Sequence, residues 1–357
     1  MKVYIKYLSS IFFKSLAFVF IIILCLVFLL NILTELEFFK DNKIGITFTL
    51  FLSLLNSPSL IFEIFPFILL ISTQLFFIKI YDHKEIEIFK YSGLKNSKIL
   101  FILGILSFCT GLLVSTLFYN LSSNLKNLYL EIKSNYTIDG KYLAVITKNG
   151  LWIKDKINGK TLITNSSYIE GNYIIENFIT EFDNKFKVIR NIQSEKINIL
   201  ENTWIIENAK VYKNNNYNNV EKLYLETNFN SERIQSLYSN LSALSLFELY
   251  ELRNNYKKLN YSIVDIDLHI IKIFVYPFFL LLITLFSSSI MLTTKEIKST
   301  TIKILIGLFF SVIIYYFNNF SYVLGSTEKI SLMLSIVSPL LILGTINCLM
   351  LYNANEK

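Results

Sequence analysis

The stretch "FILLISTQLFFIKIYDHKEIEIFKYSGLKNSKILFILGILSF", residues 67–108, begins and ends in hydrocarbon. Between them, Asp82–Asn96 carries six charged side chains: Asp82, Lys84, Glu85, Glu87, Lys90 and Lys95. Crossing ~30 Å of hydrocarbon at about 1.5 Å per residue takes roughly 20 apolar residues. The runs on either side extend to that length, so the stretch reads as a membrane hairpin with a short polar link.

Working outward, the 357-residue chain is 53% hydrophobic and 17% charged, richer in apolar side chains than an ordinary soluble domain. Ser15–Thr34, Ile99–Leu125, Ile273–Thr294, Ile304–Thr327 and Ile330–Asn355 are uncharged and long enough to span. Ile44–Ile78 holds one charge, Glu63, and is too long for one span. The residue before a proline avoids the helical region and proline lacks a donor. The second span is therefore expected to start near Pro58 in "NSPSL", with Ile46–Leu55 lying at the interface.

Placing the N-terminus inside puts Lys2, Lys6, Lys14, Lys79, Lys84, Lys90, Lys95, Lys98, Lys295, Lys298, Lys303 and Lys357 on the cytoplasmic side. The short outer connections keep Lys40, Lys43 and Lys329, and this asymmetry predicts cytoplasmic termini and an extracytoplasmic insertion. Residues 1–34 read as an uncleaved first span, because "NILTELEFF" offers no small-residue cleavage site. Cys25, Cys109 and Cys348 all fall within spans, which argues against a disulfide framework or a metal cluster. The net charge of +7 suits anionic lipid surfaces, and nothing points to nucleic acid.

The chain thus reads as an α-helical membrane protein with six transmembrane helices, 3 + 3, and an all-β domain between spans three and four. The divisions expected are 1–121 for spans one to three, 122–244 for the β domain, 245–268 for a connecting helix and re-entry, and 269–357 for the last three spans. Within the insertion the period becomes alternating. "KYLAVITKNGLWIKDKINGKTLI" reads as three strands with turns at Asn149–Gly150 and Asn158–Gly159. "NYIIENFITEF", "KFKVIRNIQSEKINI", "NTWIIENAKVY" and "EKLYLETNF" follow, with a turn at Asp183–Asn184. About seven strands without a helix predict an antiparallel sandwich or open jelly-roll, whose apolar face is either a core or a surface for something greasy. Ser245 and Glu248 stand at capping-box spacing before a helix.

No G-x-x-x-x-G-K-[ST], H-E-x-x-H or G-x-S-x-G occurs, so the chain does not hydrolyse ATP by the P-loop route. Asp265 and Asp267 have D-x-D spacing, the one support for a lipid-modifying enzyme. Without a catalytic constellation, transport or scaffolding is the default. In the polar link, Asp82 and Glu85 suit a helix start and Gly93 a helix stop, giving a helix of about 82–92. Ile86, Ile88, Phe89 and Lys90 give it a mixed surface, and Glu85 lacks a cation at i+3 or i+4. Such a carboxylate can take an arginine from another protein. A solvated loop that merely reverses the chain fits the same residues.

"NSPSLIFEIFPFILLISTQLFFIKIYDHKEIEIFKYSGLKNSKI", residues 56–99, resembles the second span and cytoplasmic helix of the lipopolysaccharide-export permeases LptF and LptG (YjgP/YjgQ). "GLWIKD", 150–155, resembles their first periplasmic strand pair, and "ALSLFELYELRNNYKKLNYSIVDIDLHIIKIFVYPFFLLLI", 243–283, resembles their return to the membrane. "IIYYFNNFSYVLGS", 313–326, leans towards LptG. The resemblance implies an inner-membrane ABC-transporter permease with a periplasmic β-jelly-roll, a homologous LptF/LptG partner, and LptC-like and LptA-like periplasmic proteins receiving lipopolysaccharide. The chain itself would bind no cofactor, with ATP and Mg used by an LptB-like ATPase dimer. The resemblance implies that Glu85 pairs with an arginine of that ATPase; Ile86, Phe89 and Gly93 complete the coupling element. Some LptG proteins carry a lysine near the outer end of span one where this chain has Asn31, and Lys272 lies five residues before Pro277 rather than four. Positive charge near the expected outer surface nominates Lys40, Lys43, Lys126, Lys133 and Lys272 for lipid phosphate, against ordinary interfacial anchoring. The rival functional class is a membrane-anchored periplasmic ligand-binding or assembly factor without transport.

Overall fold

A computed structural model describes residues 3–40, 45–82, 85–91, 94–134, 136, 151–157, 159–213, 216–231, 234, 240–258, 263–294 and 299–355. The chain divides into two compact units, Met1–Lys126 with Val264–Lys357, and Asn127–Ile263.

The first unit is helical. Its elements are α1 (Val3–Phe38), α2 (Ile46–Asp82), α3 (Glu85–Tyr91) and α4 (Asn96–Leu113), which runs through a π-turn at Val114–Phe118 into α5 (Tyr119–Ser134). After the insertion and its helix α6 (Leu246–Lys258) come α7 (Val264–Thr293), α8 (Thr300–Ser326) and α9 (Leu332–Asn355). Among the described residues, six helices are long and apolar enough to cross a membrane. The third continues past residue 121 to Ser134. With 36 residues, α1 extends to about 54 Å and must project beyond ~30 Å of hydrocarbon.

The second span does not start at Pro58. α2 is one helix of 37 residues with Pro58 and Pro66 inside it, so Ile46–Leu55 is helical rather than a separate approach segment. Proline breaks a helix in water because it frees a carbonyl; in a bundle, a neighbour can satisfy that carbonyl. Pro66 frees the carbonyl of Phe62, and the Tyr276 hydroxyl on α7 donates to it at 2.7 Å. Beside Pro58, Asn31 of α1 donates to the Ser57 hydroxyl at 3.0 Å and accepts from Asn56 at 3.3 Å. Asn31 therefore ties two helices together.

α4 meets α7 through glycine. A Cβ at Gly111 would stand 2.8 Å from Pro277 Cα, so only hydrogen fits between the two backbones. Gly111→Val is expected to push the helices apart and destabilise the protein by about 1–3 kcal/mol, read as a lower melting temperature in detergent.

The second unit holds β1 (Leu151–Ile157), β2 (Lys160–Glu170), β3 (Tyr173–Phe182), β4 (Val188–Asn198), β5 (Thr203–Lys213) and β6 (Asn216–Glu226) in one antiparallel sheet. Neighbours in sequence are neighbours in space throughout, consistent with the expected jelly-roll-like domain. The expected strand at 141–148, the turn at Asn149–Gly150 and Asn158 lie outside the described residues. Gly159, at φ +80°, supplies the left-handed position of the β1–β2 turn. At the β3–β4 turn the Asp183 carboxylate accepts from the Lys185 and Lys187 amides, both at 2.8 Å.

One face buries Leu151, Ile153, Ile179, Ile192, Trp204 and Ile206. Alternation breaks across three adjoining strands: Ile174 and Ile179, Ile192 and Ile197, and Ile206 and Ala209 are all buried despite odd spacing. Glu176 and Asn208 have positive φ at two of these breaks. A buried network fills the seam, with Ser166 donating to Asn177 at 2.6 Å and Ser194 to the Glu207 carbonyl at 2.6 Å. The capping box forms as expected at the start of α6, the Ser245 amide and hydroxyl both donating to Glu248 at 2.7 Å.

Glu181, with its side chain only 3% exposed, sits between Lys160 at 2.7 Å and Arg190. Burial pushes its carboxyl up, but the bonds and charges of Lys160 and Arg190 together more than offset this and hold it below the usual carboxylate range. A depressed folded pKa contributes stability above the unfolded value and loses it as pH falls through the folded one. Glu181→Gln is expected to cost about 1–2 kcal/mol at neutral pH. Faster hydrogen exchange of β2–β4 amides in the intact protein checks this, and the gap from wild type should close on acidification.

Candidate functional site

Two constellations in the helical unit involve residues singled out from the sequence. The first is α3. Seven residues are too few for a helix stable by itself, so its position depends on neighbours. Glu85 and Phe89, four apart, share a face. Tyr7 of α1 meets both: its hydroxyl donates to Glu85 Oε1 at 2.5 Å, and its ring lies edge-on to Phe89 with centroids 6.4 Å apart. Glu85, which has no cation at i+3 or i+4, thus finds a donor 78 residues away. Its Oε2 is buried and has no hydrogen-bond partner among the described residues. Ile88 and Tyr91 face outward, 59% and 91% exposed. The Leu94 amide donates to the Phe89 carbonyl at 2.8 Å and closes the helix end. Gly93 and the side chains of Asp82 and Ile86 lie outside the described residues.

The second constellation lies at the end of the bundle where α5 leaves and α7 returns. Glu63 of α2 is close enough to interact electrostatically with both Lys126 of α5 and Lys272 of α7, and these two lysines also act on His269. His269 Nε2 is 3.0 Å from the Tyr119 hydroxyl, and Lys272 Nζ lies 5.4 Å from the Tyr322 ring centroid. Phe62 stacks on Tyr276 at 4.8 Å and meets Tyr119 edge-on at 5.1 Å, which fixes the aromatic floor. A cavity of about 60 Å³ opens beside the charges, lined among others by Glu63, Lys272, Ser311, Tyr315, Asn318 and Asn319.

Lys126 and Lys272 therefore come together. Lys40 stands exposed past the end of α1, and Lys43 lies outside the described residues. Lys133 belongs to the other unit, where it is buried and donates to the Tyr129 hydroxyl at 2.7 Å. Glu63 and His269 had no assigned role in the sequence. The available signal was that a carboxylate inside a hydrocarbon run is costly unless paired or functional. Asp265 and Asp267 occupy the first turn of α7, where a helix N-terminus favours carboxylates.

The family model described as "Lipopolysaccharide export system permease LptF/LptG" matches residues 6–353. The chain belongs to the LptF/LptG family. No curated protein matches it. An LptF/LptG permease with six membrane helices is a multi-pass inner-membrane protein of lipopolysaccharide export, and its six-stranded sheet is the inserted β domain. The match covers both branches of the family.

Proposed function

We propose that this permease is the membrane subunit of an ABC transporter that extracts lipopolysaccharide from the inner membrane and passes it to a periplasmic bridge. The full-length family match carries this reading. Removing several acyl chains from a bilayer at ~0.8 kcal/mol per CH₂ needs an energy source. The sequence has no nucleotide loop, so a separate LptB-like ATPase dimer hydrolyses ATP with Mg. A homologous LptF/LptG chain completes the cavity; of the two, residues 313–326 favour LptG for this one. The lysine asymmetry supports an orientation with both termini and α3 in the cytoplasm and the sheet in the periplasm, where LptC-like and LptA-like proteins receive the lipid.

In this reading α3 docks into the ATPase through Ile86, Phe89 and Gly93, with the exposed Ile88 and Tyr91 beside them, and Glu85 takes an ATPase arginine, while Lys126 and Lys272 meet lipid phosphate at the outer end of the bundle. Lys40, Lys43 and Lys133 are the further candidates for phosphate. The test is purification from the native membrane followed by ATP-driven lipid transfer in proteoliposomes. The expected complex contains an ATPase and a second permease and moves lipopolysaccharide. A complex without an ATPase that still binds a periplasmic ligand would instead identify a membrane-anchored binding or assembly factor.

A further inference from the structure

The short helix α3 is covalently continuous with the segments that follow α2 and precede α4, and one side chain ties it to a third rod. Tyr7 of α1 reaches the face formed by Glu85 and Phe89, with its hydroxyl on one and its ring on the other. Two attachment points four residues apart fix both the height and the rotation of a helix this short. They also divide the Glu85 carboxylate. Oε1 is occupied by the tyrosine hydroxyl, whereas Oε2 is buried without a donor among the described residues. A charged oxygen shielded from water and lacking a donor is unfavourable, which favours a donor arriving from outside the chain. A planar guanidinium, always charged and presenting several N–H groups, suits that oxygen better than an ammonium does.

From this geometry we propose that Tyr7 is a positioning residue. It holds Oε1 so that Oε2 receives an arginine of the ATPase subunit, and it links α1 to the helix that this subunit moves. The proposal rests on the coupling reading given above and adds a residue to it. Docking has to displace the groups that cover Oε2. With Oε1 still tied to α1, the carboxylate keeps its direction while α3 shifts, and the shift is passed to α1 as well as to α2 and α4.

The test is Tyr7→Phe in the intact complex. Tyr7 is 42% exposed and the change removes one oxygen while keeping the ring against Phe89, so no cavity opens. The variant permease is expected to melt as the native one does, to bind its ATPase about tenfold more weakly, and to move less lipid per ATP hydrolysed. Glu85→Gln alone is expected to weaken the ATPase by a similar factor or more. In the double variant the two losses should not add, because the hydroxyl acts through the carboxylate. If Glu85→Gln leaves ATPase binding at the native level, the coupling reading itself falls. If Glu85→Gln weakens binding but Tyr7→Phe does not, or tightens it, or the two losses add in full, then Tyr7 does not position the carboxylate and the coupling reading stands without it.

Discussion

Glu85→Arg is expected to release the ATPase from the permease and to stop lipopolysaccharide transport. The substitution sets a guanidinium against the arginine proposed to meet Glu85, and it replaces an acceptor of the Tyr7 hydroxyl with a donor. Losing a desolvated charge pair across an interface costs about 2–5 kcal/mol, and like-charge repulsion adds to that. Dissociation is therefore expected to be faster by at least roughly 30-fold and by up to several thousandfold. Co-purification of the ATPase and lipid transfer in proteoliposomes measure the two consequences separately. An ATPase that stays fully bound and coupled rules out Glu85 as the point of entry. Exchanging the ATPase arginine for glutamate in the same complex should recover much of the loss, since the pair is then restored with its signs reversed.

How much of this was legible in the sequence depended on whether the cause was local. The spans follow from hydrocarbon length, and the six apolar helices lie where the long apolar runs do. Pro58 misled because its local effect is real; the continuity of α2 rests on contacts from Asn31 and, at Pro66, from Tyr276, more than 200 residues away. The strands follow from alternation and the β1–β2 turn from Gly159. The seam across β3, β4 and β5 was hidden because it is made of Ser166, Asn177 and Ser194, residues whose polarity reads as outward-facing. In the site, charge alone nominated Lys126 and Lys272. No spacing rule joins them to Glu63 or brings Tyr7 to Glu85, because those contacts are set by the packing of separate helices.

Removing Lys126 and Lys272 together, each to Ala, is expected to weaken binding of lipopolysaccharide by roughly a hundredfold while Glu63→Gln strengthens it by about tenfold. The opposite signs follow from the arrangement. Glu63 acts on both ammonium groups, so in the resting protein it supplies counter-charge inside the bundle, where an ionised group is costly if left unneutralised. A lipid phosphate arriving at the two lysines competes with that carboxylate. Neutralising Glu63 raises the attraction for phosphate and at the same time removes a stabilising neighbour, so the variant should bind more tightly yet melt lower. The measurement is binding of lipopolysaccharide with and without its phosphate groups to the purified complex, alongside thermal unfolding. Dephosphorylated lipid should lose the difference between the variants. If Glu63→Gln instead weakens binding as far as loss of the lysines does, the carboxylate recognises the lipid directly. If all three proteins bind alike and differ only in melting, the cluster holds the helices together and the phosphate is met elsewhere.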